Sequence, residues 1–367
     1  DRDQGTKERD PQRSGKPQET RTQRSKRSSD PNPTPSAQRA FTSNATMRAI
    51  THDVYGNSEV LHMSDVPVPS HSNKEVLVKV KSAGLHKGNW HLMTGIPYIV
   101  RLAFGFSRPS NKVMGSDISG VIDKVGGNVT TFKVGDEVFG TTKGDQGGWA
   151  ELCVCDPNQL TIKPPSINWN DAGAVPTSAV TALEALRDVG NVKPGQKVLI
   201  IGASGGVGIY AVQLAKHTFS CEVTGVCSGA KADMVRTLGA DYVIDYAQGP
   251  DVTTLGKSYD LILDIAGDRT VSSMRKILTP DGTLVLVGGE GGNKIAPFGR
   301  MIYMSLANRF VKHNLKVFMS VVTTALMEFI KGEMEAGRLK AHVGREYSFE
   351  DARKAMADHE EGKLAGK

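Results

Sequence analysis

Four cysteines in 367 residues, Cys153, Cys155, Cys221 and Cys227, are too few for a disulfide framework, and no Cys-x-x-Cys pair occurs. Such usage fits a reducing compartment. Long apolar runs are missing too: the most apolar stretch, Val317 to Ile330, falls short of the roughly 20 residues that cross a bilayer. It reads as a buried helix, and no membrane span is expected. The body of the chain also lacks excess charge. Residues 1–46 hold ten Lys/Arg against six Asp/Glu, net +4, which leaves +2 of the total +6 for the other 321 residues. A nearly neutral body excludes nucleic-acid binding as the main function. No internal repeat of the kind a solenoid needs is present.

Residues 1–46 are poor in apolar side chains and rich in Pro, Ser, Gln and mixed charge, so burial there cannot offset the entropy of ordering. A disordered basic tail or leader is expected. An organelle-targeting presequence is the alternative to a cytoplasmic protein, although six acidic residues count against it. From Met47, short alternating strands ("MRAITHDVY", "EVLVKVKSAGL", "DISGVIDKVG", "DEVFGTT") between Gly, Asn and Pro turns predict a small, mainly β domain. Near Asp171 the pattern becomes helical over "DAGAVPTSAVTALEALRDV" and then alternates apolar strands with amphipathic helices. That alternation predicts an α/β domain with a doubly wound parallel sheet.

The most specific motif is "KVLIIGASGGVGIYAVQLAK", which sets Gly202, Gly205, Gly206 and Gly208 between a predicted strand and the helix "GGVGIYAVQLAKHTF". Glycines there let backbone approach a pyrophosphate, and a helix amino end supplies N–H donors. The second strand of an NAD site usually ends in Asp or Glu. Here it ends at Cys227, Ser228 and Gly229, with Lys231 beyond, a hydroxyl and a cation that suit a 2'-phosphate. NADPH is the expected cofactor, and Tyr246 could flank its adenosine side. A second polar stretch, "SAGLHKGNWHLMTG", holds His86 and His91 five residues apart, about 140° around a helix, which argues against a helical two-histidine metal site.

From Met47 to Lys367 the chain resembles the medium-chain dehydrogenase/reductase superfamily, and within it the zinc-free quinone oxidoreductases of the zeta-crystallin type. The glycine-rich passage, "VLVKVKSAG", "MGSDISGVIDKVG", "FKVGDEVFG" and "VRTLGADYVIDY" carry the resemblance. It implies a GroES-like catalytic domain over 47–172, a Rossmann nucleotide-binding domain over 173–311, and a segment 312–367 that returns to the catalytic domain. Relatives run on past the closing Gly-Lys into a short strand, so this chain is expected to stop a few residues early.

Residue by residue, the resemblance implies that Ser204, Gly205, Gly206, Val207 and Gly208 form the pyrophosphate turn and that Thr181 lies beside the nicotinamide. Ser228, Lys231, Tyr246 and, more remotely, Lys363 would hold the 2'-phosphate and adenosine end. Ala266, Val287 and Gly288 would line the nicotinamide edge. Zinc-dependent relatives carry Cys where this chain has His86, Gly-His-Glu where it has Gly115-Ser116-Asp117, and Cys or Asp near Thr177, so no metal is expected. In zinc-free relatives the loop often reads Asn-Pro-x-Asp; here His86 replaces the Asn and Asn89 the Asp. His86, Asn89 and Tyr98 are the catalytic candidates, with His86 able to donate a hydrogen bond or release a proton near neutral pH.

Without a Lewis acid, reduction of an electron-poor acceptor remains feasible, because a quinone or α,β-unsaturated carbonyl delocalises the incoming charge into an oxyanion. The expected function is an NADPH-dependent reductase of a quinone or enone, acting as a homodimer. The alternatives are an enoyl or alkenal reductase, or an NADPH-binding sensor or assembly protein with little turnover.

Overall fold

The computed structural model describes residues 45–267, 269–288, 296–308 and 310–367; the expected tail, apart from its last two residues, lies outside them. Seven strands come first: β1 Thr46–Thr51, β2 His62–Pro67, β3 Val76–Ala83, β4 Asp117–Val125, β5 Glu137–Thr141, β6 Leu152–Cys155 and β7 Leu160–Ile162. Most of their inward residues are β-branched or small, and Val76, Val78, Ile118, Ile122, Val138, Cys153, Cys155 and Leu160 close one apolar core. Five strands pair antiparallel in the order β6-β3-β4-β5-β7, while β1 and β2 form a separate pair bridged to the rest at Ala49–Ala150 and Thr51–Val113.

The second half contains β8 Lys197–Ile201, β9 Glu222–Cys227, β10 Tyr242–Asp245, β11 Tyr259–Asp264, β12 Leu278–Leu286 and β13 Asn314–Val317. They form one parallel sheet in the order β10-β9-β8-β11-β12-β13. Central strands are apolar along their length, as burial of both faces requires: Val198, Leu199, Ile200 and Ile201 are all buried. Counted from β8 this is the order 3-2-1-4-5-6 of a doubly wound dinucleotide fold, and its direction switches between β8 and β11.

The polypeptide after β13 returns to the first half. Thr324, opening the helix Thr324–Glu335, donates from Oγ1 to the carbonyls of Leu160 (3.0 Å) and Pro157 (3.2 Å). In the helix Ala352–Glu360, the Glu360 carboxylate accepts from Ser58 N and from Trp90 Nε1, both at 3.1 Å.

Three helix expectations need correction. Val317–Ile330 is not one buried helix: Val317 ends β13, Met319 and Val321 are exposed, and the helix starts only at Thr324. The β-branched run Val321-Val322-Thr323-Thr324 disfavours helix, and the Thr323 hydroxyl accepts from Leu326 N to cap it. The helix expected from Gly205 starts at Gly208. The helix expected over 171–189 is broken at Pro176, giving Trp169–Ala174 and Pro176–Leu183, because a proline nitrogen cannot donate to the preceding turn.

Candidate functional site

After β8 the chain reverses at Gly202, whose φ of +88° lies in the region that favours glycine. Gly208 comes back so close to the turn that a Cβ there would stand 2.1 Å from the Gly202 carbonyl oxygen. Gly205 differs: it is exposed, and an added Cβ would meet nothing nearer than 3.5 Å. One glycine closes the turn and the other leaves its outer face open, so Ser204, Gly205, Gly206 and Val207 form a cradle that fits a pyrophosphate. The cradle stands at the switch point of the sheet, where Ile265 N and Ala266 N both donate to Ile201 O (3.0 and 3.3 Å). Val287 N and Gly288 N converge on Asp264 O (3.0 and 3.4 Å), which lays Ala266, Val287 and Gly288 along the carboxyl edge. Arg300, from the helix Ala296–Ala307, locks that edge by donating to Asp264 Oδ2 and Gly267 O, both at 2.5 Å.

At the end of β9 the structure brings Ser228, Lys231 and Tyr246 together: Lys231 N donates to Ser228 O (2.9 Å) and Tyr246 N to Cys227 O (3.2 Å). The Lys231 ammonium donates to the carbonyls of Leu364 (2.6 Å) and Gly362 (3.4 Å), and Tyr246 is exposed. Asp245 also stands here, its Oδ2 2.4 Å from where a Cβ on Gly229 would be. Lys363 is occupied elsewhere, on Asp358 and Glu361. Thr181 donates within its own helix, to Thr177 O at 2.7 Å.

The polar loop becomes the start of the helix Lys87–Thr94, with His86 as its N-cap. His86 Nδ1 accepts from Gly88 N (3.1 Å), which leaves the proton of the neutral ring on Nε2. Nε2 then donates to Ser116 Oγ (2.7 Å), with Asp117 Oδ1 3.7 Å away. Burial pushes the His86 pKa down to about 4 against the opposing pull of Asp117, so the ring is neutral at pH 7. The expected release of a proton near neutral pH is therefore not available to it; hydrogen-bond donation is.

Asp117, fully buried at the start of β4, is the hub of this cluster. Pro176 opens the next helix without an N–H, and the free donor one residue on, Thr177 N, points at Asp117 Oδ1 (3.2 Å). The Thr177 hydroxyl donates to the same oxygen at 2.5 Å. A carboxylate at a helix amino end is favourable both for its hydrogen bonds and for the helix dipole. On the other oxygen sits the Lys367 ammonium, 3.4 Å from Oδ2 and 3.0 Å from Ser178 Oγ.

Asn89 is wholly buried and accepts from His86 N through Oδ1 (3.0 Å), so it holds the histidine and does not face the cleft. Tyr98 is half-exposed and packs its ring on the Arg101 guanidinium (4.8 Å); among the described residues nothing ties its hydroxyl to the His86 cluster. Ser178, Lys367 and Arg300 are site residues that sequence reasoning did not single out, and Asp117 entered it only as the residue where zinc-dependent relatives carry Glu. Only Asp117 carries a sequence signal, as an acid in an otherwise apolar strand start, "GSDISGV".

The donor set does not suit zinc: Ser116 and Thr177 offer hydroxyls, and an ammonium already lies on Asp117. Among the described residues no group of three His, Cys, Asp or Glu side chains could hold a metal.

Residues 72–166 match the alcohol dehydrogenase GroES-like domain family, and residues 238–367 the zinc-binding dehydrogenase family. The chain is 30% identical to the chloroplastic quinone-oxidoreductase QR1 of Triphysaria versicolor over 338 residues, 88% of this chain and 97% of that one. It is 36% identical over 251 residues to the mitochondrial NAD(P)H oxidoreductase RTN4IP1 of Bos taurus, 63% of this chain and 62% of that one. The solved quinone oxidoreductase from Coxiella burnetii superposes with a TM-score of 0.78 at 25% identity, over 88% of this chain and 98% of that one. The chain belongs to the medium-chain dehydrogenase/reductase superfamily, in its zinc-free quinone oxidoreductase group.

Proposed function

We propose that the chain is an NADPH-dependent reductase that transfers hydride, without zinc, to a quinone or an α,β-unsaturated carbonyl. The observation that carries this reading is the glycine cradle at the switch point of the sheet, with the Asp117 cluster reached from it by Lys367. A bound dihydronicotinamide would supply the hydride. Ser204, Gly205, Gly206, Val207 and Gly208 would hold the pyrophosphate; Thr181, Ala266, Val287 and Gly288 would line the nicotinamide. Ser228, Lys231 and Tyr246 would take the 2'-phosphate end. Lys231 must then share its ammonium with the carbonyls it now holds, and Lys363 contributes only long-range charge. His86, a neutral hydrogen-bond donor to Ser116, positions that hydroxyl beside Asp117, Asn89 fixes its backbone, and Tyr98 lies outside the cluster. The name of the RTN4IP1 relative, an NAD(P)H oxidoreductase, supports a nicotinamide cofactor.

A second cofactor reading, NADH, is favoured by Asp245, whose carboxylate beside Gly229 opposes a 2'-phosphate. Initial rates with NADPH and NADH, run in parallel over a panel of quinones, enones and enoyl thioesters, decide both questions. A clear NADPH preference with quinones or enones is expected. Equal use of NADH would overturn the cofactor assignment, and NADPH binding without turnover would leave a sensor or assembly protein.

The reading includes domain limits at 172/173 and 311/312. It also includes a homodimer, supported by the edge position of β13 and by Ile302, Leu306, Phe310, Met319 and Val321 exposed on or beside the helix Ala296–Ala307 and that strand. Light scattering at the mass of one chain would contradict the dimer. A cytoplasmic location is proposed, with an organelle as the alternative, since the relatives above are named chloroplastic and mitochondrial.

A further inference from the structure

Lys367 touches both parts of the site. Its Cδ lies 3.3 Å from where a Cβ on Gly206 would be, so its stem runs along the phosphate cradle. Its ammonium ends among the side chains of the Asp117 cluster, on Ser178 Oγ (3.0 Å) and Asp117 Oδ2 (3.4 Å). The lysine side chain is 2% exposed and Asp117 is 0% exposed. An ammonium carries three donors, and among the described residues the third has no protein acceptor. Burying such a charge is costly unless it is paired and hydrogen-bonded, and here the pairing is loose. Burial presses the Lys367 pKa down while Asp117 opposes it. The other titratable groups nearby are His86 and His359, both pushed by burial to about 4 and so neutral at pH 7. The fold therefore keeps a cation with a spare donor beside the place where a dinucleotide would lie.

We propose that Lys367 is a catalytic residue whose ammonium donates a hydrogen bond to the acceptor oxygen that takes up negative charge during reduction. Hydride from the dihydronicotinamide adds to a carbon of the acceptor, the π pair moves to oxygen, and the resulting oxyanion meets the third N–H of Lys367. The ammonium keeps its proton; water supplies the one that completes the reduction. Fixed positive charge aimed at a developing oxyanion does electrostatically what a metal ion does in a zinc-dependent site. The hydroxyls of Ser116 and Thr177 could not hold that ion.

The proposal rests on the reductase reading, so its test is a binding measurement that needs no turnover. The probe is p-nitrophenol, titrated onto protein saturated with NADP+, with the phenolate followed by its visible absorbance. Wild-type protein should bind the phenolate in preference to the phenol. Lys367→Met should weaken phenolate binding by about tenfold or more. Its NADPH affinity, read by fluorescence quenching, should stay within about threefold, which also shows that the variant is folded. Lys367→Arg should retain most of the phenolate preference. Equal phenolate binding by wild type and Lys367→Met would overturn the proposal. So would an Arg variant as impaired as Met, or a loss of NADPH affinity as large as the phenolate loss, which would make Lys367 a phosphate contact. Failure of the reductase reading shows separately, as no NADPH oxidation by the wild type.

Discussion

The cradle and the Asp117 cluster adjoin, yet they are built from different material. The cradle is backbone: Gly202, Gly205, Gly206 and Gly208 lie within seven residues, and what matters is the side chain each lacks. The cluster is side chain: His86, Ser116, Asp117, Thr177 and Lys367 come from four segments, and the Asp117–Lys367 pair spans 250 positions. A backbone site has its shape set locally and its chemistry set by helix ends and open space. A side-chain site owes its chemistry to burial, which turns His86 from a group that titrates near neutrality into a fixed donor. Substitutions should therefore act on the first through sterics and on the second through protonation.

The largest effect expected is at the cradle. Gly208→Ala should cost about 3 kcal/mol of unfolding free energy in urea, because its Cβ would stand 2.1 Å from a backbone oxygen that cannot retreat. Gly205→Ala should leave stability within about 0.5 kcal/mol and still weaken NADPH binding about tenfold, by filling the open face. Equal stability losses for the two would erase the distinction between a closing glycine and a cradling one.

At the cluster the effect is smaller and depends on pH. The folded pKa of His86 lies below its unfolded value, so between about pH 4 and 6.5 the unfolded chain binds more protons. Stability from this group rises with pH through that window and is lost as pH falls. Wild type should lose about 2 kcal/mol more unfolding free energy than His86→Asn between pH 7 and 5. His359, shifted alike, is common to both proteins and cancels. Because His86 is neutral above about pH 5, the variant should keep the wild-type shape of the pH–rate profile from about pH 6 to 8. A new or missing limb there would restore His86 as a proton donor.

The smallest effect concerns the cofactor end, where Lys231 and Asp245 pull in opposite directions. Lys231→Ala should raise the KM for NADPH about tenfold, worth about 1.4 kcal/mol, and that for NADH less than about threefold. Equal changes would mean that Lys231 serves only the carbonyls of Gly362 and Leu364.

This contrast also explains what the sequence made legible. The glycine turn, the alternation of strands and helices and the neighbourhood of Ser228 and Tyr246 follow local rules, so sequence motifs locate them. His86 was visible as a polar residue, but its protonation was not, because its burial beside Ser116, Asp117 and the returning chain is set by tertiary contacts. Lys367 sits in "KLAGK", which carries no local mark of a buried ammonium. Val317–Ile330 was misread because a run of apolar residues does not distinguish an edge strand and loop from a helix. Asn89 is a candidate by its place in the family loop and Tyr98 by its hydroxyl, and their side chains turn to the helix cap and to Arg101.

The central claim is hydride transfer without a metal, and the most direct test is NADPH oxidation by a benzoquinone with protein dialysed against a strong chelator. Turnover should be the same before and after dialysis, with no gain on adding zinc. Activity that vanishes with the chelator and returns with zinc would contradict it.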